Sequence, residues 1–356
     1  MMRRRRLLAG APLAALPARA QPAWPGGRSV TLVVAFPPGG QADVSGRPIA
    51  AAMERVLGVA VPVVNRPGAS GALGNAFVAR AAPDGLTLLM ALSSMLILPE
   101  ADRIHGRIAQ YEPEQLAPIA RVTADPTVLV VQAGAPWQNL AELVADAKRR
   151  PGEISYSSAG NFSALHTPMA MFTQAAGIDM LHVPFQGGGP ALTALLGGTV
   201  QALASGTGPV MQHILGGRLR ALATTGTGRV AGLPDVPTMA EAGFADVLYL
   251  IWAGVFVPAA TPAPLREQIR LAVARASRDV DAGRALATAG SPVAYLDGPA
   301  FEAFIREDAA RLIAAVRRIG RVEEPACSAA VGRDTVTGYR RVWAGHPPAS
   351  DRDDPG

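Results

Sequence analysis

Short apolar runs alternate with helical segments along most of this chain, and this alternation constrains its fold more than any other feature. The first run covers residues 30–36 and ends in a Pro-Pro-Gly-Gly turn, after which a helical pattern extends from about residue 42 to 57. Runs of this kind are typical of buried parallel strands, which are usually connected by helices. The pattern predicts an α/β protein with mostly parallel sheets covered by helices.

The same criteria locate the remaining elements. Further strands are predicted at 61–64, 86–91, 128–132, 154–157, 180–185, 200–204 and 219–224. Further helices are predicted at 71–80, 139–149, 163–175, 190–196, 209–215, 264–289 and 299–319. Asn139 with Glu142, and Thr238 with Glu241, have the spacing of a capping box and predict helix starts.

The N-terminus has the three parts of a secretory signal peptide. Four arginines precede a small-apolar stretch at 7–17, and Ala18-Arg19-Ala20 has the form of a cleavage site. We expect residues 1–20 to be removed on export, by the Sec or the twin-arginine route, and the mature protein to be periplasmic.

Removal of this segment would leave a nearly neutral mature chain. It holds five of the 33 basic residues, which leaves 28 against 28 acidic residues. A nearly neutral chain without a basic stripe is not expected to bind nucleic acid or a membrane surface. No later apolar stretch reaches the 18 residues that a membrane-spanning helix needs.

Metal, cofactor and enzyme signatures are missing from the sequence. Cys327 is the only cysteine, so an intramolecular disulfide and a cysteine-based metal site are excluded. The five histidines do not have metal-ligand spacing, and the common motifs of hydrolases, nucleotide-binding proteins and metalloproteases do not occur. We expect no metal, no cofactor and no catalysis.

Three glycine-rich or hydroxyl-rich loops each follow a predicted strand and open a predicted helix, at 36–43, 156–163 and 185–190. Helix N-termini present free N–H groups that suit an anion. Ligands of open α/β sheets bind outside the carboxyl ends of the strands, where all three loops are expected to lie. The predicted ligand-binding residues are Phe36, Gly39, Gly40, Asp43, Ser93, Ser158, Gly160, Asn161, Phe162, Ser163, His166, Gln186, Gly187, Gly188 and Ser205.

Two of these residues have an alternative structural role. Asp43 lies in the first turn of a helix, where the helix dipole favours a carboxylate without any ligand. His166 is of a residue type that more often fills a structural role than contacts a ligand.

The loops and several further phrases, taken in order, resemble the tripartite tricarboxylate transporter substrate-binding family, also called the Bug receptors. The resemblance covers residues 25 to 320. The phrases lie at 31–40 with Asp43 and Arg47, 64–69 with Gly71 and Gly74, 82–89, 182–188, 195–198, 219–223 and 233–243.

The resemblance implies a periplasmic-binding-protein fold of the Venus-flytrap, type II-like kind, with two α/β domains and a two-strand hinge. Domain 1 would comprise 25–125 plus 228–320, and domain 2 would comprise 126–227. Beyond the resemblance, residues 321–356 are rich in Pro, Gly and charged residues without apolar periodicity, which predicts a disordered tail. The resemblance also implies a monomer that delivers a small organic carboxylate to membrane permease subunits. The ligand would be held by backbone donors and bridging waters, near Gly39, Gly40 and Asp43 on one domain and Ser158, Gly160, Ser163 and Gly187 on the other.

The sequence departs from the family pattern in two places near the expected site. Phe162 stands where the family usually has a second glycine, and residues 205–209 replace a more usual polar and aromatic stretch. Two other functions remain open, namely a ligand-sensing co-receptor of a signalling system and a small hydrolase or isomerase with Asp43 or His166 as base. The ligand could be a carboxylate, an amino acid, a nicotinate-like aromatic compound or a small amide.

Overall fold

The computed structural model describes residues 24–322. The predicted signal peptide, Cys327 and all but the first two residues of the predicted tail lie outside the described residues. The strands are β1 Thr31–Val34, β2 Val63–Asn65, β3 Thr87–Leu92, β4 Leu116–Gln132, β5 Ser155–Ser158, β6 Leu181–Pro184, β7 Ala202–Gly206, β8 Leu219–Thr224, β9 Leu250–Pro258 and β10 Val293–Asp297. The helices are α1 Gln41–Leu57, α2 Ala72–Ala79, α3 Leu98–Ile104, α4 Leu140–Arg149, α5 His166–Ala176, α6 Gly188–Leu196, α7 Thr207–Leu215, α8 Ala263–Ala276, α9 Val280–Thr288 and α10 Gly298–Ile319.

The sheet is mixed, with parallel strands on the outside and antiparallel strands at the centre. The strand order is β2-β1-β3-β9-β4-β7-β5-β6, and β8 and β10 also pair with β4. Strand β1 is parallel to β2 and β3, and β5 is parallel to β6 and β7, as the alternation of strands and helices predicts. Strands β9 and β4 are antiparallel to their neighbours.

Strand β4 connects two parts of the sheet, which we call lobes. Residues 116–126 of β4 pair with β9, and residues 127–132 pair with β7 and β8. Lobe I comprises β1–β3, β9 and β10 with α1–α3 and α8–α10, and lobe II comprises β5–β8 with α4–α7. The domain boundaries at 125/126 and 227/228 stay a prediction.

Three backbone segments lie side by side where the lobes meet, at Thr127, Thr225 and Tyr249, and threonine side chains bind them together. The N–H of Thr127 donates to Oγ1 of Thr225 (2.9 Å), and that hydroxyl donates to the carbonyl of Tyr249 (2.6 Å). Both threonines are buried. Because buried backbone groups need a partner, these bonds hold the crossing point together where regular pairing ends.

Some predicted elements are wrong in their extent. The single helix predicted at 264–289 is two helices, because the chain turns at residues 277–279 and Asp279 caps α9 by accepting from two N–H groups. Helix α5 begins at His166, three residues later than predicted. Strands β9 and β10 and the first half of β4 were not predicted.

The two capping boxes have different outcomes. Oδ1 of Asn139 accepts from the N–H of Glu142 (3.0 Å) at the start of α4, which confirms the helix start and its cap, although the Glu142 carboxylate accepts from the N–H of Gln138 (2.6 Å) and not from that of Asn139. Thr238 and Glu241 form the two reciprocal bonds of a box, at 3.1 and 2.7 Å, but enclose a turn that no helix follows. The prediction of a helix there is wrong because the local bonds are equally compatible with an isolated turn.

Aromatic residues fill the core of lobe I. Trp252 of β9 is fully buried, and its ring packs edge-on against Phe301 of α10. Its indole N–H donates to Oδ2 of Asp308 (2.8 Å). Between residues 24 and 322, no helix combines the length and the apolar character that crossing a bilayer requires.

Candidate ligand-binding site

The loop after β1 and the loop after β6 meet where the two lobes face each other. A Cβ atom built on Gly40 would lie 3.6 Å from the Cα of Gly188, and one built on Gly39 would lie 3.9 Å from the Cα of Gly189. The N-terminus of α1 therefore approaches the N-terminus of α6. Both helices direct N–H groups without intrahelical partners towards this junction.

Glycine is needed on lobe II for this approach. A Cβ atom on Gly189 would lie 2.5 Å from the carbonyl oxygen of Pro38, and one on Gly187 would lie 2.4 Å from two ring carbons of Pro37. Real Cβ atoms do not make contacts this short. The lobes are thus closed on each other along a seam, and the lobe II side of this seam requires glycine because a side chain there would overlap Pro37 or Pro38.

Asp43 organises the loop after β1. Its carboxylate accepts from the N–H of Gly39 (3.1 Å), from Nε of Arg47 (2.9 Å) and from Nδ2 of Asn65 (3.0 Å). Nδ2 of Asn65 also donates to the carbonyl of Phe36 (2.8 Å). Burial opposes ionisation of Asp43, but the hydrogen bonds from Arg47, Asn65 and Gly39 hold its pKa below the ordinary value.

We expect Asp43→Ala to lower the free energy of unfolding by about 3 kcal/mol, because three donors lose a charged acceptor in a buried loop. Chemical denaturation measures this change. The matched control is Asp281→Ala, in the first turn of α9, where the carboxylate is exposed and pairs with an exposed Arg284; a change within about 0.5 kcal/mol is expected there. If Asp43→Ala instead abolished ligand binding with wild-type stability, the carboxylate would act on the ligand directly.

The loop after β5 contacts both its own lobe and lobe I. The Ser158 hydroxyl lies 2.6 Å from Nε2 of His182 and accepts from the N–H of Gly160 (3.1 Å). Oγ of Ser70, on lobe I, donates to the carbonyl of Asn161 (2.7 Å). A Cβ atom on Gly160 would lie 2.4 Å from that same Oγ atom. This glycine therefore permits the hydrogen bond between the lobes.

Phe162 occupies a backbone conformation that favours glycine. Its φ is +54°, in the left-handed region. Holding an aromatic residue there costs roughly 1–2 kcal/mol. The departure from the family pattern is therefore a substitution at a position where glycine is free of strain. The ring is buried and packs edge-on against His105 of lobe I, with ring centroids 5.5 Å apart.

His166 lies beneath this loop as a neutral, buried side chain. Its Nδ1 accepts from the N–H of Phe162 (3.1 Å), and its ring lies 4.3 Å from that of His182. Burial, together with the neighbouring His182, holds the pKa of His166 well below the ordinary value. The Ser163 hydroxyl accepts from the N–H of His166 (3.2 Å) at the start of α5.

Three further predicted site residues have structural surroundings of their own. Ser93 is buried, and its hydroxyl lies 3.1 Å from that of Tyr249. Ser205 is a buried residue of β7 paired with Val128 of β4, and Gln186 is exposed beside α6. Ligand contact by any of the predicted site residues stays a prediction.

A small cavity of about 10 Å³, room for about one water molecule, lies between the lobes at this junction. The sequence reasoning identified Phe36, Gly40 and Gly188 of its lining. Apolar strand residues such as Leu92 and Ile251 are indistinguishable from core by sequence alone, and seven residues of the lining were not predicted. These are Gln41, Ala42, Leu92, Ala159, Ala164, Leu165 and Ile251.

Gln41 anchors the floor of the cavity to a buried carboxyl group. Its Nε2 donates to Oδ2 of Asp125 (2.9 Å) and to Oγ of Ser291 (2.8 Å), and the Ser291 hydroxyl also donates to Asp125. Burial raises the pKa of Asp125 to about 7, although the hydrogen bonds from Ser291 and Gln41 partly oppose this shift. Among residues 24–322, no three His, Cys, Asp or Glu side chains are grouped to hold a metal ion.

Comparison with known proteins shows which proteins this chain resembles. Residues 46–321 match the sequence model described as "Tripartite tricarboxylate transporter family receptor". A relative in Pseudomonas sp. strain P51, described as a UPF0065 protein in the tcbD-tcbE intergenic region, is 35% identical over 293 residues, which are 81% of this chain and 86% of the relative.

Three solved structures have the same fold. The periplasmic binding protein BugD is 30% identical to this chain, with a TM-score of 0.77, and the match covers 82% of this chain and 97% of BugD. MatC of Rhodopseudomonas palustris with bound malate is 29% identical to this chain, with a TM-score of 0.74, and the match covers 81% of this chain and 98% of MatC. Rpa4515 of R. palustris with adipate is 27% identical to this chain, with a TM-score of 0.77, and the match covers 83% of this chain and 98% of Rpa4515. These likenesses confirm the predicted two-lobed periplasmic-binding-protein fold.

Proposed function

Because this chain belongs to the tripartite tricarboxylate transporter family of receptors, whose members are solute-binding proteins and not enzymes, we propose that it captures a small carboxylate between its lobes. We further propose that it works in the periplasm and delivers this ligand to membrane permease subunits. The observation that carries the proposal is the junction of two helix N-termini, α1 and α6, beside a cavity between the lobes.

This junction supplies positive potential without a charged side chain. The first N–H groups of α1 and α6 are donors whose partial charges favour a carboxylate. Arg47, the basic residue nearest in sequence to the loop after β1, is already bonded to Asp43 and Asn65. Backbone donors, with waters as bridges, are therefore the groups available to hold the anion. The malate of MatC and the adipate of Rpa4515 support a carboxylate as the ligand.

The lobes supply the conformational change that capture needs. We propose that they correspond to the predicted domains, 25–125 plus 228–320 and 126–227, and that the protein acts as a monomer. The ligand would lie between two rigid bodies and stabilise their closed arrangement, so the population of closed protein would rise with ligand concentration. The side-by-side segments at Thr127, Thr225 and Tyr249 are suited to act as the hinge.

A thermal-shift screen tests the proposal, with full-length secreted protein that has been unfolded, stripped of ligand and refolded. We expect at least one small carboxylate to stabilise the protein by about 2.7 kcal/mol at a concentration of 100 Kd. The primary amide of the same acid is the matched control and should give a smaller shift, because it lacks the charge that the helix N-termini favour. A panel of carboxylates that leaves the midpoint unchanged would refute the proposed ligand class.

A further inference from the structure

A cleft of about 540 Å³ lies on lobe I, and we call it the lobe I cleft. Its lining comes from α8, α10, β9, the part of β4 that pairs with β9, and the segments at 95–96 and 113–114. It shares no residue with the lining of the small cavity between the lobes. A volume of this size is in the range of sites that hold small organic molecules. The lobe I cleft is therefore large enough for a ligand and is complete without lobe II.

The cleft lies where strand β10 stops covering β4. Strand β10 pairs with residues 120–123 of β4 and ends at Asp297, whereas Leu116, Ala117 and Pro118 pair with β9 and not with β10. After Asp297 the chain turns into α10. The edge of β4 at these residues is therefore left beside a gap in the sheet, and the cleft occupies this gap.

The floor of the lobe I cleft is apolar. Ile305 of α10 lines it as a half-buried side chain. The other large apolar side chains of the floor are buried and belong to the core of lobe I, namely Met95, Leu96, Leu116, Ile119 and Phe256. A ligand that covers this surface removes apolar area from water, which favours binding. The floor is thus suited to an apolar part of a ligand.

Six charged side chains line the cleft, and four of them are paired with each other. Nε of Arg270 donates to Oε2 of Glu267 (2.7 Å), and Nη1 of Arg270 donates to Oδ2 of Asp297 (2.6 Å). The guanidinium of Arg306 lies 3.7 Å from the carboxylate of Glu302. These charges largely compensate one another, so they do not decide the charge of a ligand.

Arg266 is a cation of the lining that has no partner. It lies in the first turn of α8, half-buried, and within residues 24–322 its guanidinium forms no hydrogen bond or ion pair. Helices α8 and α10 both begin at the cleft, where Ala263 and Gly298 line it, and helix N-termini add positive potential. Glu114 is the remaining unpaired charge, but it is exposed, so water and salt screen it. The cleft therefore favours an anion.

We propose that the lobe I cleft is a second binding site, for an organic anion that has an apolar body and one anionic group. The guanidinium of Arg266 binds the anionic group, and the apolar body covers the floor. Hydrogen bonds between ionised partners are stronger than neutral ones, so Arg266 contributes much of the selectivity. This site goes beyond the proposed function, because its ligand does not need the junction between the lobes.

The test is isothermal titration calorimetry of the refolded, ligand-free, full-length protein with 2-naphthoate and its neutral counterpart 2-naphthamide. We expect Arg266→Gln to weaken binding of 2-naphthoate about 10-fold and to leave the weaker binding of 2-naphthamide unchanged. The matched control is Arg275→Gln, at an exposed arginine of α8 outside the lining, which should change neither affinity. Equal 2-naphthoate affinities of wild-type and Arg266→Gln protein, or no binding of 2-naphthoate, would overturn the proposal.

A substitution at the seam separates this site from the one between the lobes. A Cβ atom on Gly189 would lie 2.5 Å from the carbonyl oxygen of Pro38 across the seam. We expect Gly189→Ala to leave 2-naphthoate binding unchanged. A loss in Gly189→Ala but not in Arg266→Gln would mean that 2-naphthoate binds between the lobes, which overturns this inference and supports the proposed function. The thermal-shift panel repeated on Arg266→Gln protein tests the proposed function without the contribution of Arg266.

A substitution in the floor gives a second readout. We expect Ile305→Ser to weaken 2-naphthoate and 2-naphthamide alike, by about 5-fold, since it removes apolar contact and no charge. Leu271→Ser, at an exposed leucine of α8 outside the lining, is the matched control and should change neither affinity. Unchanged affinities in Ile305→Ser would contradict contact with the floor. If Ile305→Ser does not fold, the comparison of wild-type with Arg266→Gln protein still decides the proposal.

Discussion

Gly189→Ala is expected to weaken ligand binding by about 5- to 150-fold while the free energy of unfolding stays constant or rises. The new Cβ atom would lie 2.5 Å from the carbonyl oxygen of Pro38 across the seam. Relieving such an overlap costs typically about 1–3 kcal/mol, which is a cost to the closed arrangement and not to the open one. Within α6, by contrast, alanine is favoured over glycine by about 1 kcal/mol.

Because ligand affinity is expected to fall while the free energy of unfolding is not, this substitution distinguishes an effect on lobe closure from an effect on folding. Calorimetry with the best carboxylate gives the affinity, and chemical denaturation without ligand gives the stability. Gly283→Ala is the matched control, because Gly283 lies within α9 and a Cβ atom there would meet nothing within 4 Å. Gly283→Ala should raise the free energy of unfolding and leave the ligand affinity unchanged. Wild-type affinity in Gly189→Ala would mean that the seam opens or shifts in the liganded protein.

The outer strands and most helices are predictable from the sequence because their signals are local. The run at 30–36 locates β1, which is shorter at 31–34, and the helix predicted after the glycine turn matches α1 to within one residue at its start. Strand β9 escaped prediction, although it is a continuous apolar run at residues 250–258, because a buried central strand has no alternation to distinguish it from a core helix. The part of β4 that pairs with β9 contains Pro118 and Pro126, which argue against a central strand in isolation.

The general location of the site is also predictable, but its chemistry is not. Glycines after β1 and β6 indicate helix N-termini and close approach, and the structure brings these loops together. The apolar walls come from residues such as Leu92 and Ile251, on strands distant in sequence, whose local pattern indicates only burial. Asp125 gives no sequence signal at all, because its environment depends on Gln41 and Ser291, which lie 84 and 166 residues away.

Asp125→Asn is expected to stabilise the protein at pH 8 by up to about 4 kcal/mol and to have no effect near pH 3. Burial raises the pKa of Asp125 from 3.8 to about 7. Below pH 3.8 the carboxyl is protonated in both the folded and the unfolded state. As the pH rises from 3.8 to 7, the unfolded chain releases the proton and the folded protein retains it, so stability falls by about 1.4 kcal/mol per pH unit.

Asparagine preserves an oxygen that can accept the hydrogen bonds from Gln41 and Ser291, but it cannot ionise. The loss of stability between pH 3.8 and 7 should therefore be absent in Asp125→Asn. Urea denaturation of both proteins between pH 4 and 8 gives the difference curve. The low pKa values of His166 and His182 (about 4 for His182) act in the opposite direction, by lowering stability as the pH falls below 6.5, but they cancel between the two proteins. Asp279→Asn is the control of opposite sign, since its hydrogen bond with Arg55 lowers the pKa of Asp279 and that substitution should destabilise at pH 8. A flat difference curve would show that Asp125 ionises normally in the folded protein.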